Sequence, residues 1–167
     1  MQFPFAETAD FDSVPISPIP AVNVASVPQR SPLRYPGGKT WLIPHIRVWL
    51  GQMDPKPRVL LEPFAGGATV SLTAVMEQLV QRCIMAEIDA NVAAFWKAAL
   101  EYNTELRDRV SQFHPTKESI EELQQCDQDN ILDLGFKALV LNRTRRGGIL
   151  AKGAAWFCCI VLGRIIL

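Results

Sequence analysis

The sequence lacks a net charge: its 167 residues carry 17 basic and 17 acidic side chains. No global field therefore draws it to nucleic acid or to a membrane surface, and a charged partner has to be met by a local patch. It also lacks metal-ligand spacing. The four cysteines, Cys83, Cys126, Cys158 and Cys159, form no Cys-x-x-Cys pair and no Cys/His pattern, which argues against a structural metal. No early segment runs from basic to apolar to small residues as a secretion signal does, so a reducing, cytoplasmic setting is expected. No internal repeat is found. A nucleotide-triphosphatase P-loop is missing as well, although "GGKT" at 37–40 invites it: the motif needs a glycine five positions before Gly38, where Leu33 stands, and no strand precedes it.

What remains is enough for one domain. About half of the residues are apolar (49%), sufficient to bury a sizeable core. Pro4, Pro15, Pro18, Pro20, Pro28 and Pro32 crowd the start, each fixing φ and removing a donor, so residues 1–30 are expected to be a disordered, extended leader. Leu42, Ile46, Trp49 and Leu50 then fall at helical spacing, with Pro44 near the helix start. "RVLLE" at 58–62 reads as a short buried strand entering a glycine turn, after which Leu72, Val75, Met76, Leu79 and Val80 recur as one helical face. "CIMAEID" at 83–89 reads as a second strand, followed by the alanine-rich helical stretch "NVAAFWKAALEYN". This β-α-β-α order implies a parallel sheet covered by helices. Residues 101–130 read as polar helices with turns at His114-Pro115 and around Asp127, and Leu132, Phe136, Leu139 and Val140 mark a further helix leading into "LNRTRRGG".

A strand that opens through glycines into a helix aims backbone N–H groups and the positive end of the helix dipole at one spot, and bare backbone lets a ligand come close. An acid at the end of the next strand is placed to accept the hydroxyls of a ribose. Asp89 stands at that point of the sequence. The plainer reading of the same residues is a tight turn at Gly66-Gly67 and a helix cap at Asp89.

"SPLRYPGGK", "LLEPFAGGATVSL", "AEIDANVAAFW" and "LNRTRRGGI", in this order and at these intervals, resemble the N-terminal half of a Dam-like (D12 class) DNA adenine-N6 methyltransferase over about residues 31–153. The resemblance implies S-adenosylmethionine as cofactor, double-stranded DNA as partner and an α/β, Rossmann-like methyltransferase sheet. It further implies a DNA-recognition segment that begins within these residues. Carried over by position, Tyr35 would offer its ring face to the cofactor sulfonium and Lys39 would pair with the methionine carboxylate. Gly37 and Gly38 would let the loop fold over the ligand. Glu62, Phe64, Ala65, Gly66 and Gly67 match the lining of methionine and ribose, Asp89 matches the ribose-binding acid, and Ala68 replaces a glycine usual in that motif.

From Lys137 to Lys152 every charged residue is basic: Lys137, Arg143, Arg145, Arg146 and Lys152. Such a run can neutralise phosphates without reading sequence. The resemblance makes Asn142, Arg143 and Arg146 the candidates for DNA contact; the plainer reading leaves the arginines satisfying a helix dipole in water.

The family's Asp-Pro-Pro-Tyr type of loop, which holds the target amine, has no counterpart: no Asp, Asn or Ser is followed by Pro-Pro and an aromatic. Residues 154–167, "AAWFCCIVLGRIIL", depart from the family pattern and are far too short to span a membrane, which takes roughly 20 apolar residues. The expectation is an aberrant apolar tail, a sheet truncated before the catalytic half, and an inactive fragment. The alternative is a non-catalytic cofactor- or DNA-binding module that works through a partner such as a separately encoded catalytic half.

Overall fold

The computed structural model describes residues 24–126 and 129–150. They form a mixed α/β fold with a small parallel sheet and six α-helices. In chain order these are α1 (Ile43–Gly51), β1 (Val59–Pro63), α2 (Thr69–Met76), β2 (Arg82–Ala86), α3 (Ala90–Glu101), α4 (Asn103–Gln112), α5 (Lys117–Gln125) and α6 (Ile131–Thr144). A 3-10 turn, Lys39–Leu42, leads into α1. The turn expected around Asp127, residues 151–167, which include the expected tail 154–167, and residues 1–23 of the expected leader lie outside the described residues.

β1 and β2 pair in parallel, Val59 opposite Arg82 through Pro63 opposite Ala86, with α2 as the crossover. The helices are started by the side chains that sequence chemistry favours there. Asp89 caps α3, Thr116 and Ser119 form a capping box on α5, and Asn130 caps α6.

Two apolar clusters hold the fold. One joins Ile43 and Leu50 of α1 with Leu60 of β1, Val70 and Ala74 of α2, and Val27. The other joins Phe95, Trp96 and Ala98 of α3 with Leu106, Ile120 and Phe136, Leu139 and Val140 of α6. The contact between α3 and α6 is the largest between helices. It depends on Gly135, where a Cβ would stand 2.6 Å from the Cβ of Ala98 and 2.7 Å from the carbonyl oxygen of Ala94.

Several expectations need correcting. β1 is half buried: Leu60 and Glu62 face inward, whereas Leu61 is 59% exposed, beside Ile84 of β2 at 51%. α2 ends at Met76 because Gln78 turns the chain in the left-handed region (φ 56°). Its buried residues are Val70, Ser71, Thr73 and Ala74, with Val75 and Met76 outside. Leu79 and Val80 return to the core from the turn, not from a helix face. Trp49 is exposed. β2 stops at Ala86 instead of running to Asp89. Packing also begins before residue 31, since Val27 is buried and Arg30 pairs with Glu77 at 2.9 Å.

Candidate functional site

β1 delivers the chain into a turn with three residues at positive φ, Phe64 (59°), Gly66 (53°) and Ala68 (50°), before α2 begins at Thr69. The turn is tied to the end of β2 by the Ala65 N–H donating to the Ala86 carbonyl (2.9 Å). Against it lies the Tyr35–Lys39 loop, itself closed by Gly38 N–H donating to the Tyr35 carbonyl (3.1 Å). Together they line a cleft of about 160 Å³ that takes in Tyr35, Gly37, Gly38, Lys39, Phe64, Ala65, Gly66 and Gly67. A second cleft of about 250 Å³ lies beside Tyr35, Asp89, Val92, Asn142 and Leu150. Tyr35 is common to both. Either cleft alone is smaller than the roughly 300–1,000 Å³ of an ordinary small-molecule site.

Gly66 is held from three sides. The Tyr35 ring lies over it so closely that a Cβ would meet ring carbon Cε1 at 2.8 Å. Trp96 Nε1 donates to its carbonyl (2.7 Å), and its N–H donates to Glu87 Oε2 (2.6 Å). Burial first, then the charges of Glu87 and Asp89, push the Tyr35 phenol pKa above its ordinary value.

Lys39 sits at the cleft, but its charge is already engaged. Nζ donates to Glu62 Oε1 (2.8 Å) and to the Phe64 carbonyl (2.6 Å). Glu62, 5% exposed, accepts at Oε2 from the N–H (2.9 Å) and the Oγ (2.6 Å) of Ser71. It therefore lies beneath the turn and anchors it to α2. The expected free lysine facing a ligand carboxylate is here the partly exposed end of a strut whose other end, Glu62, is buried.

Asp89 Oδ1 accepts from the N–H groups of Asn91 (2.8 Å) and Val92 (3.4 Å), as a helix cap does, and it lines the second cleft only. The residue that sequence reasoning missed is Glu87. It is the first after β2, and its carboxylate bridges Gly66 N–H on one side and the N–H groups of Ile88 (2.9 Å) and Asp89 (3.0 Å) on the other. Its signal in the sequence was the strand end, which was placed too late.

The basic run is largely turned inward. Lys137 donates to the carbonyls of Gln124 and Cys126 at the end of α5, and Arg145 is buried and donates to the Leu150 carbonyl (2.8 Å). Asn142, 1% exposed, donates to and accepts from Arg34 and so lies inside the protein instead of facing out. Arg143 is half buried; burial and the neighbouring Arg34 charge lower its pKa. Arg146 is exposed, and Lys152 lies outside the described residues.

This geometry places both clefts at the carboxyl ends of the two parallel strands, the end of an α/β sheet at which ligands commonly bind. The family model of the D12 class N6 adenine-specific DNA methyltransferases matches residues 35–131, more than half of the chain and all of the first cleft's lining. The chain belongs to that family. The match ends before Asn142, so the basic segment is outside it. No curated protein matches the chain. Among the described residues no helix is long and apolar enough to cross a membrane, and no group of three or more His, Cys, Asp or Glu could hold a metal ion.

Proposed function

We propose that these residues are the cofactor-binding half of a cytoplasmic DNA adenine-N6 methyltransferase that uses S-adenosylmethionine, on a Rossmann-like sheet of which β1 and β2 are two strands. The observation that carries this reading is the meeting of the two glycine motifs in one cleft, with Lys39 Nζ bonded across 25 positions of sequence to the Phe64 carbonyl. The residues present fit the group. At Gly66 the backbone is bare, and a Cβ there would collide with the Tyr35 ring that walls the cleft. A carboxylate stands at the end of β2 within reach of the same turn.

Bound S-adenosylmethionine would supply a methyl on a positively charged sulfur. The chain's own part would be to hold it: the Tyr35 face would attract the cation, and the Glu87 carboxylate at the end of β2 would accept ribose hydroxyls. Asp89 keeps α3 capped. The Lys39–Glu62 strut keeps the floor of the cleft fixed, and Gly37, Gly38 and Gly67 keep its walls free of side chains. Tyr35 has to shift for one ligand to occupy both clefts, and its 40% exposure leaves room for that.

DNA phosphates are assigned to Arg143 in the last turn of α6 and Arg146 in the loop after it, with Asn142 shaping that loop from inside. The exocyclic nitrogen of adenine is a weak nucleophile and needs acceptors for its hydrogens. With no Asp, Asn or Ser before Pro-Pro and an aromatic in the sequence, these residues are assigned cofactor and DNA binding, and transfer requires a loop of that kind beside them. Ultraviolet cross-linking with methyl-labelled S-adenosylmethionine, alongside label counting in adenine-containing duplex, tests both halves. Label on peptides spanning 35–39 or 62–69 with none in DNA is expected. Label in DNA from the purified chain alone would overturn the reading that transfer requires such a loop, and no cross-link would overturn the cofactor site.

A further inference from the structure

Asn142 lies in the last turn of α6 and is almost wholly buried. Its carboxamide makes three hydrogen bonds, all to backbone of other segments. Oδ1 accepts from Arg34 N–H (2.8 Å), and Nδ2 donates to the Arg34 carbonyl (2.8 Å) and to the Gly148 carbonyl (2.8 Å). It thus grips both polar backbone groups of Arg34 as a neighbouring strand would, from 108 positions away. None of these bonds is needed to end the helix, because Arg145 N–H already closes it onto the Leu141 carbonyl (3.0 Å). Next to it, Arg143 Nη1 donates to the Pro32 carbonyl (3.4 Å).

The two segments it joins are the two halves of the proposed machine. Arg34 immediately precedes Tyr35, the wall shared by both clefts. Gly148 closes the loop that carries Arg146, and a Cβ at Gly148 would stand 2.8 Å from the Cβ of Arg34 and 2.9 Å from Asn142 Nδ2. Because one nitrogen, Nδ2, serves both Arg34 and Gly148, a shift of the loop is passed to the backbone that sets the position of Tyr35.

We propose that Asn142 is a positioning residue that couples the cofactor cleft to the basic loop, so that a polyanion on Arg143 and Arg146 and a cofactor beside Tyr35 change each other's affinity. The inference rests on the cofactor reading given above. Coupling of this kind is reciprocal: the factor by which duplex changes cofactor affinity equals the factor by which cofactor changes duplex affinity.

The test titrates S-adenosylhomocysteine into the full chain by calorimetry, with and without a short duplex, and measures duplex binding by anisotropy with and without S-adenosylhomocysteine. Wild type is expected to show the same factor both ways, at least about fivefold. Asn142→Ala is expected to bring the factor close to one, each affinity being compared with that variant's own value in the absence of the other ligand. Asn142→Asp keeps the acceptor for Arg34 N–H and loses both donors, and is expected to fall between. A wild type that binds both ligands with a factor of one, or that binds no duplex, overturns the coupling whatever the variants do; so does Asn142→Ala with the wild-type factor. A folded wild type that binds no S-adenosylhomocysteine instead sinks the cofactor reading itself, and this inference with it.

Discussion

Replacing Gly66 with alanine separates the cleft from the fold. Gly66 sits at φ 53°, where a side chain costs about 1–2 kcal/mol relative to ordinary backbone. Phe64 and Ala68 already hold that region on either side, so the turn itself survives. The new Cβ would lie 2.8, 3.0 and 3.1 Å from Cε1, Cδ1 and Cζ of Tyr35, well inside the roughly 3.5–4.0 Å of a relaxed carbon–carbon contact. The ring has to leave, and as a 40% exposed side chain it can. The stability loss is then set by the backbone alone, about 1–2 kcal/mol, or about 2–8 °C in Tm for a domain of this size. The cleft loses far more, because both its bare backbone and its aromatic wall change. Affinity for S-adenosylhomocysteine should fall at least about tenfold, equivalent to about 1.4 kcal/mol. Gly51→Ala is the control, since a Cβ there meets nothing within 4 Å. Calorimetry and thermal melting on the three proteins decide it. Unchanged affinity in Gly66→Ala would refute the assignment of the turn to a ligand, and a collapse in Tm would refute the claim that Tyr35 is free to move.

Further outcomes follow from other contacts. Asp89→Asn retains a good helix cap and should leave both stability and cofactor affinity nearly intact, whereas Glu87→Gln should weaken cofactor binding; the reverse ranking in calorimetry would return the ribose role to Asp89. Lys39→Met removes the partner of Glu62, a 5% exposed carboxylate, and should cost about 1–3 kcal/mol in urea unfolding. Gly135→Ala drives a methyl into the Ala94 carbonyl; overpacking of about 1–3 kcal/mol outweighs the helix-propensity gain of about 1 kcal/mol, so Tm should drop. The hydrogen bonds from Arg47, and then the Arg47 and Arg30 charges, outweigh burial and hold the Glu77 carboxyl below its ordinary pKa. Its stabilisation is complete above the unfolded value of about 4.3 and is lost as pH falls through the lower folded value, so the acid loss of Tm should be shallower in Glu77→Gln.

Much of the site could be read from the sequence because its parts are local. The apolar run before Pro63, the glycines after it and the alanine-rich stretch of α3 each declare themselves within a few residues. What failed was what depends on distant partners. "RVLLE" looks buried by composition, yet only one face of β1 is covered by α1 and α2, which leaves Leu61 and Ile84 open. α2 stops early because of a left-handed Gln78, a conformation that glutamine does not announce. Lys39 reads as a ligand-facing charge until Glu62 is found beneath it, and the arginine-rich run reads as a surface until Lys137 and Arg145 are seen bonded to carbonyls. Asn142 carried a family position but no hint of its grip on Arg34, since two segments 108 residues apart share no local pattern.

The most direct test of the account is a calorimetric titration of S-adenosylhomocysteine into the wild-type chain, folded as judged by a cooperative melt. A saturable, single-site heat that Gly66→Ala abolishes or weakens at least about tenfold is the predicted result. A folded chain with no saturable heat, or one whose binding ignores the substitution, would contradict the claim that the two glycine motifs together form a cofactor site.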